Sequence, residues 1–91
     1  MVYEIEYSPK ALKNMQELRR NEPKAYEKLQ RLIEELEEHP KTGTGKPHQL
    51  KGDRTGQWSR SITQKHRLVY EIHEERILVY VLTACRHYDD K

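Results

Sequence analysis

The spacing of apolar positions changes period twice along the chain. "VYEIEY" alternates: Tyr3, Ile5 and Tyr7 fall on one face, and Val2, Glu4 and Glu6 on the other. That two-residue period predicts a half-buried strand. Ser8 and Pro9 then supply an N-cap and a first helical position. Leu12, Met15 and Leu18 recur at helical spacing. Asn21 is placed to end this helix and cap the next, with Pro23 in the first turn that follows. Ala25, Leu29, Leu32, Ile33 and Leu36 form an i, i+4, i+7, i+8, i+11 stripe, the signature of a helix with one buried face. His39-Pro40 stops it, because the residue before proline is pushed out of the helical region. The Glu-rich end "EELEEH" reads as a solvated face, with room for a partner contact.

Periodicity then disappears. "KTGTGKPHQLKGDRTGQ" contains all four glycines and reads as a loop, with a short strand accommodated at 48–51. Alternation returns in three segments, about 58–63, 67–73 and 77–83, with "TQKH" and "HEER" as turns. The order is βααβββ. The fold class is α+β: one domain over residues 1–91, two N-terminal helices packed on one face of a mostly antiparallel twisted sheet.

Composition adds little to this, but the distribution of charge adds more. The net charge is only +2. From Lys41 to Arg67 there are seven Lys/Arg against one Asp; from Glu22 to His39 there are six Glu against three Lys/Arg. Such segregation predicts a basic working surface and an acidic outer helix. Cys85 is the single cysteine. It permits no disulfide within the chain, suits a reducing compartment, and reads as a small buried hydrophobe. No apolar run spans a bilayer, so the expectation is a cytoplasmic protein with no membrane partner.

In "WSRSITQKHRLVY", Trp58 and Ile62 point one way with Arg60 between them, and Ser59, Ser61 and Thr63 the other. Leu68, Tyr70 and Ile72 share a face; Arg67, Val69 and Glu71 share the opposite one. With helices on the more apolar side, Arg67 and Ser61 are expected on an uncovered face, open to ligand. Arg60 is expected to snorkel past the core or to reach RNA at an edge. Lys65 and His66 are expected in a turn, solvated or touching RNA backbone. Metal-free RNA cleavage needs a base near the 2′-hydroxyl, cations on the phosphate oxygens and an acid for the leaving 5′-oxygen. His48, with Lys46 and Lys51 beside it, Arg67 on the sheet and His87-Tyr88 at the tail offer these groups. Other chemistries fit less well. The glycine loop lacks P-loop spacing, and the five histidines with one cysteine make no zinc set.

"TGTGKPHQLKG", "GQWSRSITQKHRLVYEI" and "HYDDK" together resemble the Txe/YoeB branch of the RelE toxin superfamily over nearly the whole chain. The resemblance implies a toxin of a type II toxin–antitoxin module that cuts messenger RNA in the ribosomal A site by 2′-hydroxyl attack, without a metal or other cofactor. It implies a YefM-like antitoxin as partner, operator DNA bound by the toxin–antitoxin complex, and homodimers. Carried over by position, Arg67 is the phosphate-stabilising arginine and Lys51 the site lysine. His87 and Tyr88 are general acid and substrate contact; a one-residue shift of the tail exchanges them. Tyr88 could also stack on a base. Lys46, Arg60, Ser61, Lys65 and His66 are the expected RNA contacts. Two positions depart from the family pattern. His48 stands where the family's general base is usually Glu, and an imidazole can take over that role near neutral pH. Ser61 replaces the second arginine of "WSRR". The alternative implied by these departures is a toxin relative with weakened or lost catalysis, acting through antitoxin, ribosome or operator binding.

Overall fold

The computed structural model describes residues 2–52 and 56–85. Strand β1, Glu4–Tyr7, leads into helix α1, Pro9–Asn21, and helix α2, Pro23–Glu38. Four strands follow: β2 His48–Gln49, β3 Gln57–Ser61, β4 Arg67–His73 and β5 Leu78–Thr83, with a 3₁₀ turn at Glu74–Arg76. The sheet order is β1-β5-β4-β3-β2; β1 runs parallel to β5 and every other pairing is antiparallel. The short strand allowed for after the glycine loop is present as β2. The α+β class and the helix-pair-on-sheet architecture are those expected. No helix among the described residues is long and apolar enough to cross a membrane.

Ser8 starts α1 as predicted. Its Oγ accepts from the Ala11 amide at 2.9 Å and donates to the Leu82 carbonyl at 2.6 Å, so one cap also ties the helix to β5. The buried stripe of α1 runs through Ala11 and Leu18 with Met15 packed against it, while Leu12 is 49% exposed. One residue of offset is about 100° of helix, enough to turn Leu12 off the core face. The α2 stripe is buried at all five expected positions. The junction differs from expectation, since Asn21 closes α1 and Glu22 caps α2 without a side-chain hydrogen bond. The Glu22 carboxylate is engaged elsewhere, by His66 at 2.7 Å.

The helices cover the sheet face that carries Ile62, Leu68, Tyr70, Val79 and Val81. Arg60 shares this face by strand alternation, and its side chain is fully buried. This corrects the expectation of a snorkelling or RNA-reaching arginine. All five N–H donors of the guanidinium find acceptors. Nε donates to Tyr70 Oη at 3.1 Å. Nη1 donates to Glu35 Oε1 at 2.9 Å and to the Thr44 carbonyl at 3.3 Å. Nη2 donates to the Thr42 carbonyl at 2.7 Å and to that of His39. Tyr70 Oη passes its own hydrogen to the Pro40 carbonyl at 2.7 Å. Arg60 and Tyr70 thus collect four carbonyls of the 39–44 segment, which has no helix or ladder to satisfy them. Glu35, read from sequence as part of a solvated face, is the counter-ion; it also accepts from the Thr44 amide at 2.8 Å.

The same loop needs glycine at one point. Gly45 has φ +86°, and a Cβ there would lie 2.8 Å from the Ser61 carbonyl oxygen. Its own carbonyl accepts from the Ser61 amide at 2.7 Å. Gly45→Ala is expected to destabilise the fold by about 1–3 kcal/mol, read from the urea midpoint. Gly52→Ala, where φ is +69° but no atom lies within 4 Å, is expected to cost only the backbone term, about 1 kcal/mol.

Candidate functional site

The loop locked by Arg60 leads directly to Lys46, His48 and Lys51. In the sheet register His48 lies opposite Ser59, and Ser61 lies opposite Arg67. Residues i and i+2 of a strand share a face, and so do directly opposed residues. His48, Ser59, Ser61 and Arg67 therefore stand on one face, the one turned away from the helices. His48 and Arg67 are two strands apart and two residues along, roughly 12 Å between Cα atoms at ordinary strand spacing. That Cα separation is wide enough for a phosphodiester to lie between the two side chains.

The face is not bare along its whole length. Ser59, Val69 and Leu50 are buried on it, while His48 is exposed and Ser61 and Arg67 are half-buried. The accessible part is thus its His48–Arg67 end, narrower than the open face expected from alternation. Lys46 lies beside this end, Lys51 lies three residues past His48, beyond the Leu50–Gln57 pairing, and both are exposed. The His48 ring lies with Nδ1 3.1 Å from the Lys46 carbonyl. A protonated Nδ1 donates there, which leaves Nε2 as the ring's acceptor. The hydroxyls Ser59 Oγ and Thr83 Oγ1, on the same face by register, are buried without hydrogen-bond partners.

Of the residues singled out from sequence, the fold brings His48, Ser61 and Arg67 onto one face with Lys46 and Lys51 at its edge. Arg60 lies behind the sheet, as described. His66 is also elsewhere, with its ring only 3% exposed. Thr63 Oγ1 accepts from the amides of Lys65 and His66, both at 3.1 Å, and this turn swings His66 inward. That corrects the expectation of a solvated turn histidine in contact with RNA. The signal was present in the sequence, since His66 has the same parity as Leu68, Tyr70 and Ile72, which face the core. Lys65 is exposed, as expected of a turn residue. The tail residues His87 and Tyr88 lie outside the described residues. Sequence reasoning missed Glu35 and Tyr70 as supports of the site. Tyr70 sits in an apolar stripe, where a polar group signals a buried partner, whereas Glu35 borders the α2 stripe beside Leu36 and carries no such signal.

Glu35 lies below the usual carboxylate range, held there first by hydrogen bonds from Thr44 and then by Arg60, against an opposing effect of burial. A lowered carboxyl pKa stabilises the fold above the ordinary value of 4.5, and that stability is lost as pH falls through the lowered value. Glu35→Gln is expected to flatten the acid limb of the stability profile below about pH 4.5, measured by urea unfolding at each pH.

Two helices packed on a five-stranded mixed sheet form an architecture that this chain shares with solved bacterial toxins. The YoeB/ParE toxin from Agrobacterium tumefaciens superimposes with a TM-score of 0.88 at 32% identity, covering 93% of this chain and 99% of that one. The YoeB of Staphylococcus aureus, solved as a dimer, gives 0.84 at 29% identity over 97% of this chain and all of that one. The same toxin in a YoeB-YefM complex gives 0.82. In sequence, the Toxin YoeB of Escherichia coli K12 is 41% identical over 61 residues, 67% of this chain and 69% of that protein. The family described as "YoeB-like toxin of bacterial type II toxin-antitoxin system" matches residues 7–88, and the chain belongs to it.

Proposed function

We propose that this toxin is a ribosome-dependent endoribonuclease that cleaves messenger RNA by attack of the 2′-hydroxyl on the adjacent phosphate. The observation that carries the reading is the register that sets His48 and Arg67 on one sheet face across Ser59 and Ser61. In this scheme His48 Nε2 takes the 2′-hydroxyl proton. The attacking oxygen forms its bond to phosphorus, and Arg67 with Lys51 stabilises the charge that grows on the phosphoryl oxygens. The 5′-oxygen leaves with a proton from the tail, where His87 and Tyr88 are the candidate acid and substrate contact. Lys46, Lys65 and Ser61 hold RNA beside the reacting phosphate. The products are a 2′,3′-cyclic phosphate and a free 5′-hydroxyl.

Primer extension on ribosome-bound messenger tests the reading. Cleavage sites that appear only with the protein and the ribosome support it. Loss of those sites and of growth arrest in His87→Ala assigns the toxicity to cleavage; arrest that persists without cleavage favours ribosome occupancy alone. The YefM partner and the dimer of the Staphylococcus aureus relative support a YefM-like antitoxin and a homodimer for this chain, with the toxin–antitoxin complex acting on operator DNA.

Ser61 lies directly opposite Arg67, so an arginine there adds a second cation to the same phosphate site. Ser61→Arg is expected to raise the single-turnover cleavage rate about tenfold to a hundredfold, the worth of one charge-assisted contact made in the transition state. It is also expected to cost up to about 1 kcal/mol of stability, because like charges would then face each other across the strands. An unchanged rate means that the serine is neutral to catalysis.

A further inference from the structure

On the helix side of the β3–β4 turn, three side chains form a line that the proposed nuclease chemistry does not use. Cys85 Sγ lies 3.5 Å from His66 Nδ1, and His66 Nε2 lies 2.7 Å from Glu22 Oε2. A nucleophile, a base and a carboxylate that orients the base form the arrangement that activates a thiol. The thiol is half-buried and opens on a cleft of ≈ 260 Å³ lined by Glu17, Leu18, Asn21, Glu22, Lys65, His66 and Cys85. The cleft has the volume for a small reagent.

We propose that Cys85 is a reactive thiol that captures small disulfides by exchange, activated by His66 and Glu22. The Sγ proton passes to His66 Nδ1, and Nε2–H donates to the Glu22 carboxylate. The thiolate attacks one sulfur of the incoming disulfide; a Cys85–S–S–R bond forms, the original S–S bond breaks, and R–S⁻ leaves to take up a proton. The small disulfide is itself the oxidant: one of its sulfurs leaves as a thiol, the other ends in the mixed disulfide with Cys85, and no further oxidant is needed.

The charges around the thiol set the balance. A proton passed to His66 Nδ1 favours the thiolate, and the Glu22 carboxylate at Nε2 orients the ring to receive it. Glu22 is held below the usual carboxylate range, first by its hydrogen bond with His66, so it stays ionised through the neutral range. Lys65, whose Nζ is 4.0 Å from Glu22 Oε2, adds positive charge, and Glu17 opposes it. A cysteine with the ordinary pKa near 8.5 is only about 3% thiolate at pH 7.

The test is the pH profile of alkylation of the folded protein by iodoacetamide, followed by intact mass. The midpoint is expected about one unit or more below 8.5. At pH 6 the rate should exceed that of a free thiol about threefold, since tenfold more thiolate is offset by lower intrinsic nucleophilicity. His66→Asn should return the midpoint to about 8.5, and Glu22→Gln should move it part of the way. Glu22 is partly exposed, so the second variant remains informative if the first misfolds. Incubation with hydroxyethyl disulfide should add one mercaptoethanol unit, at Cys85 only. A wild-type midpoint near 8.5, or a lowered midpoint unmoved by both substitutions, would overturn the proposal. None of these readouts depends on RNA cleavage.

Discussion

Arg67→Ala is expected to slow messenger cleavage on the ribosome by about 100- to 1,000-fold, the usual loss when one preorganised donor to a developing oxyanion is removed. Arg67 stands at the accessible end of the sheet face, opposite Ser61 on β3. Because Ser61 occupies the place of a second arginine, compensation falls to the loop lysines, whose ammonium groups supply point charges and no planar fork. Arg67→Lys should recover only part of the rate: an ammonium supplies the charge but not the planar fork that grips two phosphoryl oxygens together. The measurement is single-turnover primer extension with saturating ribosomes, alongside thermal unfolding of both variants. An Arg67→Ala protein that folds normally and cleaves within a few-fold of wild type would remove this arginine from the mechanism.

Arg60→Ala is expected to act on the fold. It should lower stability by about 3–5 kcal/mol, the range for stripping one partner from a buried, hydrogen-bonded charge. In a chain of this size that corresponds to a fall in melting temperature of roughly 15–25 °C. The loss follows from the hydrogen-bond inventory. Three loop carbonyls and the Tyr70 hydroxyl lose their donor together, the Glu35 carboxylate keeps only the Thr44 amide, and the loop they hold carries Gly45, Lys46 and His48. Tyr70→Phe removes only the bridge between Arg60 and the Pro40 carbonyl and should cost about 1–2 kcal/mol. Both are read by circular dichroism. A near-normal melting temperature for Arg60→Ala would mean that water replaces the guanidinium and that the loop is held by other contacts.

This arginine shows where sequence reading stops. Its place between Trp58 and Ile62 fixes which sheet face it shares, and alternation alone supplies that. Whether it snorkels or is enclosed depends on the length of the loop after α2 and on an acceptor, Glu35, twenty-five positions earlier. His66 follows the same logic. Its parity with Leu68 is legible, but the Thr63 turn that directs it inward and the Glu22 carboxylate that receives it come from separate segments.

The sequence by itself determined the two helices, the strand order along the chain, the Ser8 cap and the five-residue stripe of α2. These features rest on periodicity and capping among residues close in the chain. The motifs also carried the family. Only the tertiary structure decided that β1 joins the far edge beside β5, that the ligand-facing surface narrows to its His48–Arg67 end, and that Arg60 and His66 turn away from it. Each of these outcomes pairs groups between 10 and 74 positions apart. Their energies appear only when distant segments bury each other's polar atoms, and no local pattern encodes which partner each will find.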